Sequence, residues 1–289
     1  MGKTWKRYHR KLIQLFSALI YNADLGGFFT GTISKAQTKG ICVPGLNCDS
    51  CPGAIGACPI GSLQAAFGEL RYKLPLYVLG TLLLFGVLLG RAVCGFLCPF
   101  GLIQELLHKI PSPKLKKNRV TRALTWVKYV VLAALVVGYP IMTLLTQGVA
   151  VPGFCKFLCP AGTLEGGIPL ALMDESLREM LGTLFQWKFA ILILVVAASI
   201  VMFRPFCRFL CPLGAIYSPF NKIAVLGVRV DEGKCVHCDK CVRSCKMDVK
   251  QVNDRECIRC GECISVCPCD AISIYSFLRK KEETTHETA

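Results

Sequence analysis

Nineteen cysteines stand in this chain of 289 residues, and most of them fall into two spacings. The first is CxxCxxCxxxC, present twice: Cys235, Cys238, Cys241 and Cys245, then Cys257, Cys260, Cys263 and Cys267, the last followed by Pro268. Three closely spaced thiolates let one tight loop wrap three corners of an iron–sulfur cubane, and in two-cluster proteins the fourth cysteine reaches the other cluster. The spacing therefore assigns Cys235, Cys238, Cys241 and Cys267 to one [4Fe–4S] cluster, and Cys257, Cys260, Cys263 and Cys245 to a second. Lys246 stands where a proline often follows, which touches the turn and not the ligands. CxxC pairs also suit tetrahedral zinc, but a doubled CxxCxxCxxxC run is foreign to zinc modules. Cys269 and His237 are expected to be bystanders. No nucleophile-plus-base pair accompanies these cysteines, so the chemistry is electron carriage and not bond making.

The second spacing is a repeat. Cys58-Pro-Ile-Gly-Ser-Leu-Gln, Cys98-Pro-Phe-Gly-Leu-Ile-Gln, Cys159-Pro-Ala-Gly-Thr-Leu-Glu and Cys211-Pro-Leu-Gly-Ala-Ile-Tyr share a CPxGx[LI] core, and Cys94, Cys155 and Cys207 stand four residues before three of them. A CxxxCP pair sets two sulfurs one helical turn apart, and two pairs complete a four-thiolate site. Cys94 and Cys98 are expected to meet Cys207 and Cys211, giving one further cluster. Cys155 and Cys159 are expected to meet Cys58 and either Cys48 or Cys51, which gives another cluster or, alternatively, a disulfide; Cys42 is then spare. The competing reading is that buried cysteines act as small hydrophobes, which one pair would fit more easily than a repeat does.

The elements that must carry these cysteines are apolar. Hydrophobic residues make up 53% of the chain, charged residues 18%, and mean hydropathy is +0.48, whereas soluble domains carry about 25% charge. Four apolar segments approach the roughly 20 residues that span a bilayer: 12–32, 74–90, 125–146 with Pro140 as a kink, and 185–203. Asn22 and Asp24 interrupt the first segment; either the helix ends there or the two side chains serve protons or a quinone. Only four histidines are present, none within a long apolar run, which argues against haem. The net charge of +15 does not line a nucleic-acid motif. Its basic residues flank the apolar runs, as in Lys3–Lys11 and Lys109–Arg122, which is how cytoplasmic membrane flanks look. Both termini are then cytoplasmic, and the four CPxG copies alternate outside, inside, outside, inside. About 30 Å of bilayer is too far for one fast electron step, so relay sites at both faces are expected.

The organisation read from these patterns is an α-helical membrane domain of about four spanning helices over 1–228. A C-terminal α+β two-cluster ferredoxin-like domain follows over 229–277, with Val228–Val230 and Ala271–Ile274 as edge strands, and then a charged tail over 278–289. Gly90-Arg-Ala-Val-Cys-Gly-Phe-Leu-Cys-Pro-Phe-Gly, Phe206-Cys-Arg-Phe-Leu-Cys-Pro-Leu-Gly and the paired ferredoxin motifs resemble the membrane polyferredoxin family typified by NapH and the iron–sulfur part of NosR. That resemblance covers about residues 74–275. It implies four helices, CxxxCP motifs near the cytoplasmic face, and electron transfer between a quinol pool or cytoplasmic donor and an extracytoplasmic acceptor. The third CxxxCP, at Cys155 and Cys159, and the cysteine-rich loop 42–58 depart from the family pattern. The leading expectation is an electron-transfer component of a prokaryotic inner membrane that works with redox partner proteins on one or both faces and is not a stand-alone enzyme. The alternatives are a quinol oxidoreductase subunit with structural outer cysteines, or a thiolate protein that handles or reduces metal.

Overall fold

The computed structural model describes residues 2–24, 26–30, 33, 37–69, 76–115, 117–173, 175–179 and 182–276. The charged tail and the ends of the first and second apolar segments lie outside them. Among the described residues, two helical runs are long and apolar enough to cross a membrane, Arg119–Gln147 and Thr183–Val201. At 1.5 Å per residue the second is about 28 Å long. The helix Leu76–Leu89 has 14 residues and reaches about 21 Å, short of a full span by itself. In Arg119–Gln147 the winding becomes π over Leu132–Gly138, just before Pro140. A proline takes one backbone donor from the helix, and a π turn is one way the ladder absorbs that loss.

The first segment is broken at Asn22 and Asp24, one of the two readings its sequence left open. Its helix runs Gly2–Tyr21 and ends there; Gly26–Thr30 is a separate short helix. Asn22 and Asp24 thus lie past a helix end, with Asn22 donating to Ala18 O and Asn47 Oδ1 and the Asp24 N–H to Gly53 O. The helix is amphipathic with its polar face turned inward: Arg10, Gln14 and Ser17 are buried, while Leu12, Leu15, Phe16 and Leu19 face out. Leu83 and Leu84 on Leu76–Leu89, and Ile193 and Leu194 on Thr183–Val201, are likewise exposed. Apolar side chains outward over buried charges suit lipid and not water.

The C-terminal module carries a two-stranded antiparallel sheet, Leu226–Val230 with Ile272–Ser276, in the register Val228↔Ile274. It does not stand free. Met247, Val249 and Ile258 of the module join Cys94, Cys98, Phe206, Leu213 and Tyr217 in one buried apolar cluster. Charge fastens the same seam: Glu256 is fully buried and binds Arg91 at 2.6 Å and Lys128 at 2.6 Å.

Candidate metal centres

Each CPxG motif is a helix start. Cys58, Cys98, Cys159 and Cys211 are N-caps in extended conformation with proline at the first position of the following helix. Proline suits that position because its missing N–H would be unpaired anyway. The motif glycine then turns its N–H toward the capping sulfur, as Gly162 does to Cys159 Sγ at 3.4 Å. Helix N-termini favour negative charge, and so favour a thiolate. The preceding cysteine of each pair rides on a single turn: Ala92–Phe96, Gly153–Phe157 or Pro205–Phe209.

The structure brings Cys94, Cys98, Cys207 and Cys211 together. Burial pushes the Cys98 thiol up to about 12, and the charges of Cys207 and Cys94 add to it. Cys211 is raised well above its ordinary value by burial and then by Cys207, Cys94 and Cys98. A second set surrounds a cavity of about 520 Å³ lined by Cys48, Cys58, Cys155 and Cys159. Burial raises Cys155 to about 12, with Cys58 adding, and Cys159 rises through burial, Cys155, Cys48 and Cys58. Cys51 does not line this cavity; its N–H bonds Cys48 O at 3.1 Å. None of the nineteen cysteines is disulfide-bonded. In the module, burial raises the Cys245 thiol and Cys257 adds to it; Cys263 is raised by burial and then by Cys257, Cys245 and Cys241; Cys241 is raised by burial and then by Cys238 and Cys235. The first motif is the outer one, with Cys238 exposed.

Several partners of these cysteines were not legible as such. Six residues after the capping cysteine stand Gln64, Gln104, Glu165 and Tyr217. Gln104 donates to Cys207 Sγ at 3.1 Å and accepts from the Phe206 N–H; Gln64 donates to Cys155 Sγ at 3.3 Å and accepts from the Phe154 N–H. The two sites are thus built on one plan, and the aligned repeat already contained that signal. They differ in charge. Arginine stands three residues before Cys94 and Cys207, and both Arg91 and Arg204 are fully buried, reaching Cys207 O and Cys94 O respectively. Around the inner set four cations (Arg10, Arg91, Lys128, Arg204) meet two carboxylates (Glu105, Glu256). The cavity set has Pro152 in the arginine position and Glu165 instead, which accepts from the Cys48 N–H at 2.7 Å. Burial raises Glu165 to about 7.

The two sets are not a bilayer apart, as the alternating topology led us to expect. The loop 41–58 folds inward, closed by a bridge between Cys42 and Ala57. Gly45 of this loop packs on the Leu97 carbonyl and Cys98. The backbone at Leu46 adjoins the Cys98 sulfur, and the backbone of the next residue, Asn47, adjoins that of Cys58. The sets therefore stand back to back with one loop strand between them. Short helices, Pro59–Ala66 and Pro99–Leu107, start at buried capping cysteines, which hydropathy counting does not reveal.

All donors in these sets are sulfur, the set iron–sulfur clusters take. Among the described residues no three Cys, His, Asp or Glu side chains converge closely enough for a single metal ion. Four thiols and no oxygen or nitrogen donor make up each set, and that donor chemistry fits iron–sulfur clusters. Burial raises the Cys98, Cys155, Cys159 and Cys211 thiols, so metal loading at these positions must release protons.

Comparison with known proteins points the same way. The 4Fe-4S binding domain family matches residues 74–118, 129–168 and 184–230, and a second 4Fe-4S binding domain family matches residues 250–273. Two uncharacterized proteins of Methanocaldococcus jannaschii are each 32% identical, over 168 and 197 residues; these cover 56% and 65% of this chain and 53% and 70% of theirs. The methylamine utilization ferredoxin-type protein MauN of Methylobacillus flagellatus is 25% identical over 82% of this chain and 74% of its own. This chain thus spans about half of the first of these relatives and roughly three quarters of MauN. No solved structure matches. The repeated CPxG helix starts, the paired ferredoxin motifs and these matches agree: the chain belongs to the NapH/NosR-type polyferredoxin family of iron–sulfur electron-transport proteins.

Proposed function

We propose that this protein is a membrane-embedded electron conduit holding four [4Fe–4S] clusters in series. Cys235, Cys238, Cys241 and Cys267 hold the outermost cluster of the module, and Cys257, Cys260, Cys263 and Cys245 the next. Cys94, Cys98, Cys207 and Cys211 hold the third, and Cys48, Cys58, Cys155 and Cys159 the fourth. When loaded, the clusters supply one-electron carriage. The protein's part is to space them, to bury the inner two away from water and to balance their charge. The observation that carries this reading is contiguity. The module's loop at Ile258 packs on Gly95 between Cys94 and Cys98, and Leu46 and Asn47 tie Cys98 to Cys58. Each set adjoins the next, so no single step must cross a bilayer. The module, residues 229–277, takes or delivers electrons at the exposed Cys238 end, and the cavity beside Cys48 and Lys188 serves a partner on the other face.

Iron and acid-labile sulfide per chain, measured on protein purified without oxygen, should come to about sixteen of each, four per cluster. About eight would sink the conduit and favour a quinol-oxidising subunit with structural cysteines. Cys94→Ser should remove one cluster and leave the module's signals intact, and Cys94→Ser/Cys211→Ser should look no worse, because ligands of one cluster act as a unit. Full iron in both variants would mean that these cysteines are not ligands.

The reading also places the chain in a prokaryotic inner membrane as a multi-pass protein with both termini cytoplasmic, on the strength of the basic flanks. A reporter active only outside the membrane should be silent when fused after Ala289 and active when inserted at Glu175. The reverse pattern would invert the conduit.

A further inference from the structure

The polar face of the helix Gly2–Tyr21 has a purpose that packing alone does not explain. Arg10, Gln14, Ser17 and Tyr21 follow at intervals of four, three and four, which places them on one stripe. Both ends of that stripe are anchored on the inner cysteine set. Arg10 Nη1 donates to Gly95 O at 3.3 Å, between Cys94 and Cys98. Tyr21, hydrogen-bonded to Ser17, lies within range of the Cys98 charge. The helix packs along Ala92–Phe96 and Pro99–Leu107, the two pieces that present those cysteines. Gln14 sits between the two anchors with none of its surface exposed, and neither its Nε2 nor its Oε1 has a hydrogen-bond partner. A buried amide with both groups unpaired is expensive, and native proteins pair such groups or offer them to a bound ion or cofactor.

We propose that the Gln14 side-chain amide is a hydrogen-bond donor to the cluster held by Cys94, Cys98, Cys207 and Cys211, and that it sets that cluster's reduction potential. The proposal rests on the cluster assignment made above for this site. Gln104 already plays the part of donor toward Cys207 Sγ at 3.1 Å. The set at Cys58 has its own donor in Gln64, but the stripe on the first helix abuts the inner set. Reduction adds negative charge to a cluster, so a donor aimed at its sulfurs stabilises the reduced form more, and hydrogen bonds to the sulfurs are a recognised control on potential. Gln14 is thus a tuning residue and not a ligand, and it sets the two otherwise similarly built sites apart.

The test is Gln14→Leu in the full chain, loaded with iron and sulfide and titrated electrochemically with the clusters followed by electron paramagnetic resonance. One cluster, the one abolished by Cys94→Ser, should become harder to reduce by about tenfold or more, equivalent to about 59 mV for a one-electron couple, while the others and the iron content stay as they were. Unchanged potentials with full iron would overturn the proposal. So would a lowered unfolding temperature of metal-free Gln14→Leu, because an amide that is unpaired without the cluster should not be missed there. If instead Cys94→Ser leaves iron unchanged, the cluster assignment itself fails, and the proposal falls with it for that separate reason.

Discussion

Replacing Glu256 by glutamine should destabilise the protein by about 3–5 kcal/mol, the usual cost of breaking a buried ion pair from one side. The neutral amide leaves Arg91 and Lys128, both without exposed side-chain surface, with no countercharge. Burial alone would raise the Glu256 carboxyl, and the two cations outweigh it and hold the group below its ordinary value. Glu256 immediately precedes Cys257, so the loss should first appear as loosening of the module from the helices. The unfolding temperature of the detergent-solubilised protein should fall by roughly 10 °C, and proteolysis should release a fragment containing the module. Removing one cation as well, in Glu256→Gln/Lys128→Met, should recover part of the loss. As a control, Glu175→Gln breaks the exposed pair with Arg178 and should change almost nothing. Equal midpoints for Glu256→Gln and the control would show that the buried seam does not hold the module.

Gly95→Val should leave the four-thiolate sets able to load iron and yet interrupt electron flow between them. A Cβ at residue 95 would collide with the Ile258 carbonyl oxygen, which is backbone and cannot swing aside. The corresponding positions after Cys155 and Cys207 hold Lys156 and Arg208, so the CxxxCP turn itself accepts a side chain. Only the docking of the module requires glycine here. Overpacking of this kind costs about 1–3 kcal/mol, which the structure relieves by moving the 257–260 loop away from Cys94 and Cys98. Iron content should stay near that of the unaltered protein. After the module is reduced, the appearance of reduced signal in the inner cluster, followed by rapid-freeze spectroscopy, should slow by an order of magnitude or more. An unchanged rate would mean that electrons do not pass from Ile258 to Gly95.

The local chemistry was legible in the residues themselves. A CxxCxxCxxxC run states its own ligand geometry, because three sulfurs so close in sequence cannot avoid one loop. The CPxG copies likewise announce helix starts, since proline and glycine each suit only a few positions of a helix N-terminus. Apolar runs located the helices Leu76–Leu89, Arg119–Gln147 and Thr183–Val201 within a few residues, because lipid-facing helices are apolar over most of their surface. What the residues did not show was depth. Hydropathy reads each segment singly and assigned the cysteine pairs to opposite membrane faces. The loop 41–58 then sets Leu46 beside Cys98 and the next residue, Asn47, beside Cys58. In the first helix Asn22 and Asp24 marked the end, but the buried partners of Arg10, Gly95 and Glu105, lie too far along the chain for the segment itself to reveal. That Cys48 and not Cys51 lines the cavity depended on how the loop turns. Ligand type is a property of residues and their spacing; the order in which sites touch, and the charges buried beside each, arise only when distant segments pack.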